Sequence, residues 1–138
     1  MDYVGVLIER NDGKMLFQLR DNNSNIKNRN CWSLFGGGIK PSEKPIDAAI
    51  RELKEELGIL IKKEQLKLWM VIGGFNKKNY LYKLTLNLKL KDFKLREGKS
   101  MAYFSISKIR KKKNLVKTLR LLLYLYPIIS LFKGKSSL

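Results

Sequence analysis

The chain has 138 residues, enough for one domain with its own core, and a single cysteine, Cys31, which rules out an intrachain disulfide framework. Lysine and arginine number 29 against 12 aspartate and glutamate, so the net charge of +17 favours polyanionic partners: nucleotides, RNA or an anionic membrane surface. Histidine is absent, which excludes histidine bases and histidine metal sites and leaves acid–base and metal chemistry to carboxylates.

The lysines are spread along almost every segment, with the densest run at Lys108, Arg110, Lys111, Lys112 and Lys113. A lysine-rich composition explains that spread more readily than a nucleic-acid surface does. The N-terminus lacks the basic start, apolar stretch and small-residue cleavage site of a signal peptide, and with the lone cysteine this predicts a cytoplasmic protein.

In chain order, Tyr3 to Glu9 and Met15 to Leu19 read as two strands joined by the turn Asn11-Asp12-Gly13-Lys14. Asp21 to Asn30 is polar and asparagine-rich, a surface loop ahead of a short strand from Trp32 to Phe35 that three glycines then interrupt. Ile46, Ile50, Leu53 and Leu57 recur at helical spacing, and Gly58 is placed to stop that helix. Leu66 to Ile72 reads as a strand. Tyr80 to Lys91 alternates as a long, half-buried antiparallel strand with Tyr80, Tyr82, Leu84, Leu86, Leu88 and Leu90 on one side. A strand from Met101 to Phe104, a cap at Ser107 and a helix from about Asn114 to Tyr126, ended by Pro127, complete the series. Strands, helix, strands, helix predict a layered α/β domain with a mixed sheet, with no linker to divide residues 1–138. The tail from residue 121 carries LLLYLYPIISLF, too short and proline-broken for a bilayer span; a packed helix is expected, with an interfacial membrane anchor as the alternative.

Glu52, Glu55 and Glu56 fall at i, i+3 and i+4 on the central helix, on the face opposite its apolar stripe. Three carboxylates this close repel unless a cation offsets them, and hard oxygen donors suit Mg²⁺ or Mn²⁺ with substrate phosphate in the remaining positions. An E-x-x-E-E pattern alone reads more readily as a solvated acidic face. The flanking residues narrow the choice, because Gly37, Glu43, Arg51, Glu52, Leu53, Glu55, Glu56, Gly58 and Ile59 fill every fixed position of G-x5-E-x7-R-E-U-x-E-E-x-G-U, where U is a bulky aliphatic residue. The chain therefore resembles the Nudix (MutT-like) hydrolases. Gln18-x-Arg20-Asp21 and Trp32 to Gly37 look like the segments preceding that box, and Glu97-Gly98 with Phe104-Ser105 like a downstream one; Gly36 stands where many members have proline, and the tail matches nothing in the family.

The resemblance implies a Nudix fold, an α/β/α sandwich around a mixed sheet. It implies metal binding by Glu52, Glu55 and Glu56 with the Gly37 carbonyl, Arg51 orienting the carboxylates, Glu43 supporting the loop, and Glu52 or Glu97 as catalytic base. The implied reaction is metal-dependent attack of water on a diphosphate linkage in a nucleoside diphosphate derivative: an NTP, an oxidised NTP or a nucleotide sugar. An RNA 5′-end pyrophosphohydrolase, or a non-catalytic RNA-binding module on the same scaffold, is the alternative. Phe75, Tyr80 and Tyr82 read as sheet core, with base stacking as the other role. Cys31, Ser33 and Ser42 lack a histidine to activate them and read as structural or surface positions.

Overall fold

The computed structural model describes the backbone of residues 1–23 and 25–136 and the side chains of residues 1–23 and 25–126. Seven strands form one mixed sheet: β1 (Tyr3–Glu9), β2 (Met15–Leu19), β3 (Trp32–Ser33), β4 (Phe35–Gly38), β5 (Leu66–Gly73), β6 (Lys78–Thr85) and β7 (Ser100–Phe104). The helices are α1 (Pro45–Leu57), α2 (Ile106–Arg110) and α3 (Lys117–Ser136), with short 3₁₀ turns at Lys63–Gln65 and Leu90–Asp92. The path runs β3-β2-β1-β6-β5, with β4 also on β1 and β7 also on β2. Among these strand pairs only β1–β6 is parallel.

The run YVGVLIE of β1 is apolar on both sides because the sheet is covered on both sides. Val6 and Ile8 join Leu16, Phe35, Leu53 and Leu57 in one cluster beneath α1. Leu7 points the other way and joins Phe17, Trp32, Ile109, Leu119 and Leu122 beneath α2 and α3. Side chains alternate along a strand, so consecutive apolar residues feed two separate cores.

Several expected boundaries move. The glycines after Phe35 form a strand instead of ending one: Gly36, Gly37 and Gly38 pair with Gly5, Val4 and Tyr3. Glycine is a poor strand former by itself, and the neighbouring β1 decides the outcome. β6 stops at Thr85; it is antiparallel to β5, as expected, and parallel to β1, and it carries Leu81 into the second core, so it is buried on both faces and not half-buried. Leu86 and Leu88 still pack on the first core from the loop that follows. Among the aromatics, Tyr82 is buried and Tyr80 packs beside it, but Phe75 is fully exposed in the β5–β6 connection and belongs to no core.

The cap near the C-terminus is Ser105, whose Oγ accepts from the Lys108 N–H at 3.3 Å and starts α2. α3 begins only at Lys117, since Asn114 and Val116 are tied to Trp32 by backbone hydrogen bonds of 2.7 and 3.1 Å. It continues past Pro127. A proline has no N–H for the carbonyl four residues back, here Leu123, and the Arg110 Nη2 donates to that oxygen at 3.1 Å. No helix among the described residues is long and apolar enough to cross a membrane. The anchor reading of the tail falls largely on side chains 127–138, outside those described.

Candidate active site

The central helix owes its position to both of its ends. Pro45 opens it at the first turn, where a missing N–H costs nothing, and Gly58 closes it with φ 67° and an N–H donated to the Lys54 oxygen at 3.0 Å. Ala48, Ala49, Leu53 and Leu57 are buried against the sheet. The carbonyls left over at its C-terminus are taken by the incoming segment 93–99: Lys94 N–H donates to Leu57 at 3.0 Å and Arg96 N–H to Glu56 at 2.9 Å. Those two bonds bring Glu97 to the end of α1 that carries the box glutamates.

Arg51 is the hub of the loop-helix unit. Its Nε and Nη2 grip both Glu43 oxygens at 2.9 Å, Nη2 also reaches the Gly38 carbonyl at 3.0 Å, and Nη1 reaches Glu52 at 3.0 Å and Glu55 at 3.3 Å. A planar guanidinium can serve this many oxygens at fixed angles, which an ammonium cannot. Its bidentate grip, aided by the Lys40 N–H, holds the Glu43 carboxyl down at about 2. The same contacts raise the pKa of Arg51 itself.

Glu56 departs from the expected solvated face. It is 4% exposed, lying alongside Leu53 and Leu57, and its Oε2 accepts from the Gly36 N–H at 2.9 Å. Burial, then the charge of Glu52, push its pKa up to about 8, with the Glu97 charge adding to the rise and the Gly36 N–H opposing it. Burial likewise raises Glu52, against the pull of Arg51, and Glu55 and Glu97 add repulsion. Glu56 has no ion-pair partner among the described residues. The backbone of Gly37 lies directly under Glu52, so close that a side chain there would collide with the carboxylate.

Glu52, Glu56 and Glu97 are thus brought within electrostatic reach of one another, with Gly37 beside them. Glu55 is set apart: it is half exposed and turned to Arg51, and among the described residues no three acidic side chains are gathered into a ready metal cage. The donor set suits a hard cation nonetheless, since a buried carboxylate kept from ionising by its neighbours is what a bound cation would relieve. Gly36 was overlooked as a functional position by its sequence context, as was Gln18, whose amide also lies near Glu56. Neither carries a signal beyond its neighbourhood in the chain.

The NUDIX domain profile matches residues 1–122. An RNA pyrophosphohydrolase of Bartonella clarridgeiae is 44% identical over 69 residues, 45% of this chain and 40% of that protein. A CTP pyrophosphohydrolase of Escherichia coli is 41% identical over 59 residues, 43% of this chain and 42% of that protein. The matched region thus spans about two fifths of the length of these curated relatives. Among solved structures, a MutT protein from Methanosarcina mazei superposes with a TM-score of 0.70 at 25% identity, covering 92% of each chain.

Proposed function

The chain belongs to the Nudix family, and on that premise we propose that it is a pyrophosphohydrolase that uses Mg²⁺ or Mn²⁺ to cleave the diphosphate linkage of a nucleoside diphosphate derivative. The observation that carries this reading is Glu56: a buried carboxylate, held by a backbone N–H, within the electrostatic reach of Glu52 and with no ion-pair partner among the described residues. The related proteins named RNA and CTP pyrophosphohydrolase share a diphosphate joined to a nucleoside, which is the linkage proposed here.

Glu52 and Glu56 would hold the metal, with Glu55 and the Gly37 carbonyl as further oxygen donors. When bound, the metal supplies positive charge that neutralises the diphosphate and the departing phosphate. Arg51 is a positioning residue, fixing the Glu52 carboxylate and the Gly38 carbonyl through one rigid fork. Glu97 suits the base better than Glu52: it is exposed and free of ion pairs among the described residues, whereas Glu52 is committed to Arg51. It would take the proton of the attacking water. The whole of residues 1–138 is read as one domain of this kind, acting in the cytoplasm.

The test is a release assay with Mg²⁺ over NTPs, oxidised NTPs, nucleotide sugars and 5′-triphosphate RNA, with products identified by mass. An NTP yields NMP and pyrophosphate; a nucleotide sugar yields NMP and a sugar phosphate. Absence of any metal-dependent release from folded protein would overturn the proposal and favour the non-catalytic RNA-binding module.

A further inference from the structure

The lysines of this chain are spread along its length, but its acidic residues are not. From Gly98 to Leu138 there is no aspartate or glutamate, and ten lysines and arginines in that stretch carry more than half of the net charge of +17. The same stretch supplies α2 and α3, which cover the face of the sheet opposite α1 and its carboxylates. Lys108, Arg110, Lys111, Lys113, Lys117 and Arg120 are all exposed there, and none is in an ion pair among the described residues.

Two hydrogen bonds join α2, its connection and α3 into one surface: Arg110 Nη2 donates to the Leu123 carbonyl at 3.1 Å and Arg120 Nη2 to the Lys113 carbonyl at 2.8 Å. An open groove of about 420 Å³ lies along this surface, lined by Leu115, Leu123, Arg110, Arg120 and Tyr124, with no acidic residue. On α3, Lys117, Arg120, Leu121 and Tyr124 fall at i, i+3, i+4 and i+7, one row along the helix, and all four are exposed. Leu119, Leu122 and Leu123, which alternate with that row, are 3% exposed or less. Leu121 is 43% and Tyr124 78% exposed, so the row sets two large apolar side chains among the cations.

Cations alone would suit any polyanion, and the apolar members of the row decide between them. A nucleic acid has no use for an exposed leucine beside a leucine-lined groove. A bilayer uses both features: its headgroup phosphates meet the cations, and its acyl chains cover Leu121 and the Tyr124 ring while the tyrosine hydroxyl stays at headgroup level. We propose that the α2–α3 face docks on an anionic lipid bilayer, with the row from Lys117 to Tyr124 lying in the interface and a headgroup phosphate in the groove beside Arg110 and Arg120. Residues 108–124 set this contact. It leaves the acidic site, across the sheet, open to substrate and is independent of the diphosphate-cleaving reading.

The test is co-sedimentation of the full chain with vesicles of phosphatidylcholine containing about a third phosphatidylglycerol, against vesicles of phosphatidylcholine alone. The anionic vesicles are expected to bind at least about tenfold more tightly. Lys111→Gln with Lys113→Gln and Lys117→Gln should weaken that binding at least about tenfold, and Leu121→Ser with Tyr124→Ser by about tenfold. Both variants should keep the wild-type melting temperature, because the side chains replaced are exposed. In Tyr124→Trp, lipids brominated in their acyl chains should quench the added tryptophan, beyond any quenching in the wild type, whose Trp32 and Trp69 are buried. Equal binding to both vesicles, undiminished binding by either multiple variant, or no added quenching in Tyr124→Trp overturns the assignment. Single-stranded RNA bound in preference to the anionic vesicles, and lost in the lysine variant, would overturn it in favour of a nucleic-acid surface.

Discussion

On the α1 side of the sheet, Arg51 and backbone N–H groups hold Glu43, Glu52, Glu55 and Glu56 before any ligand arrives. On the α3 side, Arg20, Lys27 and Lys77 line an open cleft and have no ion-pair partner among the described residues. The contrast separates two kinds of preparation. The acidic side spends its hydrogen bonds on internal geometry, as chemistry on a reacting phosphate requires, whereas the basic side leaves its cations without carboxylate partners among the described residues.

The comparison breaks most visibly through activity. Glu52→Gln and Glu97→Gln are each expected to lower turnover on the order of 10²-fold or more without changing the far-UV spectrum. They should part in a second measurement: the rise in melting temperature on adding Mg²⁺ is lost in Glu52→Gln and kept in Glu97→Gln. Full turnover in Glu97→Gln would return the base to Glu52.

The two sides differ in chemistry yet are expected to weigh equally in the fold. Leu53 in α1 and Leu119 in α3 are both buried to about 1% or less. Replacing either with alanine should cost about 2–5 kcal/mol in denaturant unfolding. A much smaller loss for Leu119→Ala would mean that α3 is an accessory of the sheet and that the cleft wall it supplies is loose.

How much of each side was legible in the sequence follows from the same contrast. The acidic box could be read because its residues lie within one loop and one helix, where fixed spacing becomes fixed geometry. Its burial could not: Glu56 is enclosed through Gly36, twenty residues earlier, in a glycine strand that exists only because β1 pairs with it. The cleft left almost no trace, since Lys27 and Lys77 are two lysines among many and come from loops far apart in the chain.

The acidic side also carries a pH signature. The Glu56 carboxyl titrates at about 8 in the fold against an ordinary 4.5, so between those values the folded state holds a proton that the unfolded chain has lost. Stability of the metal-free protein is therefore full below 4.5 and falls as pH rises towards 8, by on the order of a few kcal/mol. Chemical denaturation in EDTA across that range should show the slope, Glu56→Gln should flatten it, and Mg²⁺ should offset it. A wild-type curve as flat as that of Glu56→Gln would place Glu56 in contact with water.

The smallest effect lies on the basic side, where Arg110 reaches the Leu123 carbonyl across from α2. If that bond stands in for the N–H missing at Pro127, Arg110→Ala should cost about 1 kcal/mol in the wild-type chain. In a Pro127→Ala background the helix recovers its own donor for Leu123, so the same arginine substitution should cost distinctly less. The cycle isolates the carbonyl from the other effects of losing an arginine, because those are common to both backgrounds. Equal costs would mean that α3 passes Pro127 without help and that Arg110 serves only the packing of α2. Unequal costs would show the second helix of this face, and with it one wall of the cleft, extended by a side chain acting as a backbone donor.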